Sequence, residues 1–231
     1  MRRAWGFLFA VLPLTLKRHL GRILYGWEID PTARIGMSVI RVRHLSMGPG
    51  TFIGSRNIIT DLDELRMARG ASIGVRNRIT GWWWSRDPTQ LLPNREAALI
   101  LGEGASISAD HYLDCIDRIE LGAYAGIAGF RSTVLTHTLD LVRDRYTSAP
   151  VEIADHSAIL SGCMVMPGTR IPSRSIVSAG SVVTTALTTE LTFYRGNPAE
   201  PIRSLPPTLR FFRRGETTDP IEAQDAESEL G

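Results

Sequence analysis

From Ile153 to Val183 an aliphatic residue stands at every sixth position: Ile153, Ile159, Val165, Ile171, Val177 and Val183. Four residues after each of the first five comes a small side chain: Ser157, Cys163, Thr169, Ser175 and Ser181. An amphipathic helix would need apolar positions three and four apart, and a half-buried strand two apart. A period of six fits neither and predicts an all-β chain, a parallel β-helix in which three short strands make one triangular coil and coils stack on each other. Aliphatic side chains fill the prism, and small ones let the chain turn its corners.

Carried towards the N-terminus, the repeat finds coil starts at Ile29, Met47, Met67, Leu101, Leu121, Ile153 and Ile171, about seven coils at intervals of 18, 20, 34, 20, 32 and 18 residues. The second face begins six residues on in every coil, at Ile35, Ile53, Ile73, Ile107, Ile127, Ile159 and Val177. Every insertion is therefore expected after the third face begins, with the loops leaving near one corner. Because stacked strands lie about 4.8 Å apart, the two long loops, about Thr80 to Ala97 and Thr136 to Ala149, should emerge roughly 10 Å from each other.

The ends read differently. Leu8, Leu12, Leu16, Leu20 and Leu24 share one stripe of an amphipathic helix, with Lys17, Arg18 and Arg22 off it. Such a helix is expected to cap the open end of the stack. The alternative is that it also rests on an anionic membrane surface, helped by Trp5 and Trp27. The apolar run is too short to span a bilayer and shows no convincing signal-cleavage site. The expected division is a cap over 1–28, the β-helix over 29–188, an extension over 189–214 and a disordered acidic tail over 215–231.

Composition narrows the class. The 231 residues carry a formal charge of +2 and a single lysine, Lys17, with no dense basic run interleaved with aromatics, which argues against nucleic acid as a partner. Two cysteines make no disulfide framework and suit a reducing, cytoplasmic compartment. The first long loop carries Trp82, Trp83 and Trp84, read either as a subunit contact or as a stacking platform for a sugar or an apolar lip toward lipid, with Trp83 set at the acceptor. The second holds His137, with Asp140 three residues on to orient its imidazole. The fourth residue after each second-face start should be small, yet the series Val39, Asn57, Asn77, His111, Arg131, Cys163, Ser181 breaks at His111 and Arg131. Those two residues and Asp114 are either solvent-facing corners or a polar edge that reaches a ligand or a neighbouring subunit.

The run PVEIADHSAILSGCMVMPGTRIPSRSIVSAGSVVT, followed by GNPAEPIR, resembles the hexapeptide-repeat, left-handed β-helix acyltransferases, which include sugar and polysaccharide O-acetyltransferases. The resemblance implies left-handed coils, acetyl-coenzyme A as acyl donor, and a homotrimer with active sites between subunits. It implies His137 as general base, the backbone of Ser161 and Gly162 facing the thioester, and Ala179, Gly180, Ser181 and Arg203 along the pantetheine and phosphate end. The expected acceptor is a hydroxyl of a sugar or cell-surface polysaccharide precursor, held by His111, Asp114, Arg131 and Trp83, in the cytoplasm or at the inner face of its membrane. Ala158, Thr185 and Ser108 depart from the family's usual residues.

Three alternatives stay open at this point. A serine acetyltransferase-like enzyme would take a small-molecule acceptor. A γ-class carbonic anhydrase would gather histidines around zinc, but the 26- and 19-residue separations of His111, His137 and His156 argue for no metal. A scaffold without catalysis would bind no coenzyme A.

Overall fold

The computed structural model describes residues 9–82 and 95–215. Its core is a triangular solenoid of parallel strands in register. The second face forms one nine-stranded sheet, in which Ile35 stacks on Ile53, Ile53 on Ile73, Ile73 on Ile107, Ile107 on Ile127, Ile127 on Ile159 and Ile159 on Val177. The first and third faces join in a twelve-stranded sheet, because Val39–Met47 and Ile58–Met67 run across the corner between them without a break. Parallel strands buried on their inner side read as aliphatic ladders, and these are the source of the six-residue period. Each inward aliphatic contributes about 1.5–3 kcal/mol of burial, which makes the prism the main store of stability.

Two steps depart from strict sixes. In the first coil the third-face residue is Ile40, not Arg41, in register with Ile59. In the fifth coil one extra residue enters before the third face: Ile127 pairs with Ile107 but Phe130 with Ala109. That bulge moves Val134, rather than Thr133, into the core beside Leu113. It turns through Gly129 at φ +73, where a Cβ would collide with the Ser161 side chain. The expectation that every insertion follows the third face is thus corrected at this coil. The reason is that a bulge re-aims a strand with one residue where a turn needs several.

The small residues expected at the corner between the second and third faces form a buried ladder. It runs Ser38, Asn57, Asn77, His111, Ser132, Cys163, Ser181, all buried. Asn57 Oδ1 accepts the Asn77 N–H at 2.8 Å, Asn77 Oδ1 accepts the His111 N–H at 2.9 Å, His111 Nδ1 accepts the Ser132 N–H at 3.1 Å and Ser132 Oγ accepts the Cys163 N–H at 3.2 Å. Each rung satisfies a backbone donor that the turn would otherwise leave unpaired inside the protein.

Both ends are closed. The helix α1, Leu14–Tyr25, lies over the first coil with Lys17 and Gly21 buried. Lys17 Nζ donates to the Gly36 carbonyl at 2.7 Å, and burial lowers its pKa. Gly21 is required by the close approach of Trp27, whose ring would lie 2.8 Å from an added Cβ. At the far end Thr192–Gly196 pairs parallel with Ile176–Val177 and turns back as Ala199–Ser204. Tyr194 takes the aliphatic position of an eighth second face, and its hydroxyl donates to the Thr189 carbonyl at 2.6 Å. Among the described residues no helix is long and apolar enough to cross a membrane. The expected acidic tail from 216 onward lies outside the described residues.

Candidate functional site

The fifth coil's insertion leaves the third face as an antiparallel hairpin, His137–Asp140 against Arg145–Ser148. Parallel register sets Leu135 opposite Asp114 of the coil before, so the root of the hairpin stands next to that carboxylate. Asp114 Oδ2 holds His137 Nδ1 in a short hydrogen bond. The carboxylate also accepts the Ile116 N–H at 3.2 Å and the Thr136 N–H at 3.3 Å, while Thr136 Oγ1 donates to the Asp114 carbonyl at 2.7 Å. The Asp114 side chain is fully buried, and that of His137 is 23% exposed. An ionised carboxylate only accepts, so Nδ1 carries the proton and the neutral ring keeps its lone pair on Nε2. Tyr146, across the hairpin, packs beside the ring at 5.9 Å.

Asp140, expected to orient His137, is committed elsewhere. Its Oδ2 accepts Arg143 Nη1 at 2.7 Å, and its Oδ1 accepts the Val142 and Arg143 amides, which closes the hairpin tip. The Arg143 hydrogen bond holds its carboxyl below the ordinary aspartate value. Asp114, expected at the acceptor, is the carboxylate bound to the imidazole. The signal for it in the sequence is an acidic residue directly after the inward Leu113, where the preceding coils carry Arg41, Thr60 and Thr80.

Asp117 ties the two long loops together. Its carboxylate accepts the Glu96 N–H at the end of the first loop (3.2 Å) and Ser148 Oγ at the base of the hairpin (2.9 Å). Trp82 opens the first loop beside Tyr112, whose phenol burial pushes up in pKa. Tyr112 is two residues from Asp114 on the same strand, so both point outward from the third face. Trp83 lies outside the described residues.

His111 is corrected on both earlier readings, since it turns neither to solvent nor to a ligand. It is 1% exposed inside the corner ladder, and burial lowers its pKa to about 4. Arg131 is displaced from that ladder by the bulge, which brings Ser132 into line. It is exposed and lies over the Phe130 ring at 6.0 Å. Ser181 also faces inward, its Oγ accepting the Gly196 N–H at 3.2 Å, so its side chain is not available to a coenzyme. Gly162, expected to face a thioester, already donates its N–H to the Phe130 carbonyl at 2.9 Å. Ala179 and Gly180 form an exposed turn, and Arg203 stacks on Phe193 at 5.3 Å in the C-terminal hairpin. The Ser161–Gly162 turn precedes the third face and His137 follows it. At about 3.3 Å per residue these lie roughly 10 Å or more apart, so one chain does not bring them together.

The three histidines of the metal reading are likewise apart. His111 is in the ladder, His137 is on the hairpin, and His156 stacks on Tyr124 at another corner, with ring centroids 5.2 Å apart. Among the described residues no three His, Cys, Asp or Glu side chains gather as a metal site.

No protein-family model matches the chain, and a search of curated proteins finds no match. Solved structures do match. A hexapeptide-repeat acetyltransferase of Vibrio cholerae O1 biovar eltor, complexed with acetyl-coenzyme A, is 18% identical over 88% of this chain and 85% of its own, with a TM-score of 0.52. A maltose O-acetyltransferase of Clostridium difficile 630 is 16% identical over 88% and 84%, with a TM-score of 0.49. The first of these, together with the stacked ladders above, carries the assignment. The chain has the left-handed parallel β-helix fold of the hexapeptide-repeat acetyltransferases.

Proposed function

We propose that this protein transfers an acetyl group from acetyl-coenzyme A to a hydroxyl of a sugar or cell-surface polysaccharide precursor, with His137 as general base. The observation that carries the reading is the buried Asp114 carboxylate on His137 Nδ1, which fixes the ring with Nε2 as the basic nitrogen. The acceptor oxygen attacks the thioester carbonyl as Nε2 takes its proton. The carbon–sulfur bond then breaks, and the proton passes from the imidazolium to the leaving thiolate. Asp114 stabilises the imidazolium between those events, and no covalent acyl-enzyme is needed. Ala179, Gly180 and Arg203 stay proposed for the donor, and the backbone around Ser161 for the developing oxyanion. Their separation from His137 within one chain supports a homotrimer whose sites lie between copies. The Trp82–Tyr112 pair beside Asp114 supports a ring-shaped acceptor over serine, because aromatic faces stack on sugar rings.

The test is thiol release from acetyl-coenzyme A in the presence of a panel of sugars and of serine. His137→Ala should fold and bind the donor, as heat protection would show. Its kcat should fall by roughly 10² to 10⁴. Retention of more than a tenth of the turnover would remove His137 from the role.

A further inference from the structure

The helix that closes the solenoid turns a basic side inward and keeps much of its apolar surface outside. Lys17 and Gly21 face the first coil, and of the expected leucine stripe Leu12 packs against the core while Leu16 and Leu24 are exposed. Leu16, Ile23 and Leu24 are 41%, 64% and 54% exposed. At about 100° per residue, Leu16, Leu20 and Ile23 fall within an arc of roughly 60°. His19 and Arg22, both exposed, follow on one side of this arc. Trp27, expected to help at a membrane, is instead 2% exposed under the helix and takes no part.

We propose that the outer face of α1 docks on an anionic phospholipid surface. Exposed Leu16 and Ile23, with half-buried Leu20 beside them, are a contiguous apolar strip of the kind that marks an interaction site. The flanking charge selects the partner. Before Glu28 the chain has no acidic residue, and on α1 Arg22 is exposed while Arg18 turns to the Ala33 carbonyl. A basic amphipathic helix with bulky aliphatics on its other side lies in the headgroup plane, here with Arg22 reaching the phosphates. A second copy fits less well. A two-fold contact through this face would oppose Arg22 to Arg22, with no carboxylate on either helix to pair them. The inference does not depend on the reaction catalysed.

The experiment is co-sedimentation of the full chain with vesicles of phosphatidylcholine alone and of phosphatidylcholine mixed with phosphatidylglycerol. Binding is expected to the mixed vesicles, weak on the neutral ones, and reduced by salt. Ile23→Ser and Leu16→Ser should each lower the partition by about tenfold. Arg22→Glu should lower it by about tenfold or more. All three should keep the parent's melting temperature and solution mass, because the side chains replaced are exposed. No sedimentation, equal sedimentation on both vesicles, or variants that bind like the parent would overturn the proposal. So would a change of mass in Ile23→Ser without vesicle binding, which would assign the face to a second copy.

Discussion

Protonation of His111 should set the acid limit of the fold. The ring is 1% exposed, its Nδ1 accepts the Ser132 N–H, and desolvation lowers its pKa to about 4, partly offset by Asp110 and by the Gly129 and Ile127 carbonyls. The unfolded chain takes up this proton as pH falls through about 6.5. The folded chain resists until about 4. Between those values the unfolded state binds more protons, so the contribution is fully present above about pH 6.5 and is lost as pH drops towards 4. At about 1.36 kcal/mol per unit, the loss is about 3 kcal/mol. His111→Asn is the informative perturbation, because Asn57 and Asn77 already serve as neighbouring rungs with a group that does not titrate. Urea unfolding followed by tryptophan fluorescence, at pH 7 and pH 4 and one protein concentration, reads the difference. The parent's midpoint should fall by about 1 M more than the variant's, for a urea slope of about 3 kcal/mol/M. Carboxylates without an interaction with residue 111, such as Asp30, titrate alike in both proteins and cancel. Any cavity left by the smaller side chain is a constant offset. If the two proteins lose stability in parallel to within about 0.5 kcal/mol, the buried ring is not what titrates.

Asp114→Asn should cut kcat by about 10²-fold with a smaller change in KM, and Asp140→Asn by less than threefold; the reverse order would return the orienting role to the hairpin carboxylate. Gly21→Ala should lower stability by about 1–3 kcal/mol by pushing α1 off Trp27, and an unchanged melting temperature would show that the cap can slide. Tyr194→Phe should cost about 1 kcal/mol for the lost bond to Thr189, and Tyr194→Ala about 3–5 kcal/mol; calorimetry that ranks the two equally would deny that the ring closes the prism. Burial raises the thiol pKa of Cys115 and of Cys163, so neither should alkylate at pH 8 until denaturant is added, and rapid labelling of the native protein would contradict the buried ladder.

The sequence by itself determined the solenoid, its coil starts and the two long excursions. An inward side chain recurs at a fixed step along the chain, and that is a local property any reader of the chain can count. It also singled out His137 by its place on an excursion. Contacts between coils were decided by tertiary structure, because parallel strand pairing joins residues 17 to 34 apart and one inserted residue changes which side chain enters the corner. The bulge at Gly129 exchanged Arg131 for Ser132 in the ladder, and turned His111 from a candidate contact into a buried rung. Asp114 and His137 are 23 residues apart and meet only because their coils stack in register. Tyr194 continues the second face 17 residues after Val177, with an aromatic in place of an aliphatic, so the count of sixes stops one coil early. The leucine stripe of α1 was legible as a stripe. Which way it faces depended on Lys17 reaching the Gly36 carbonyl and on Gly21 making room for Trp27, and neither contact has a signature along the chain.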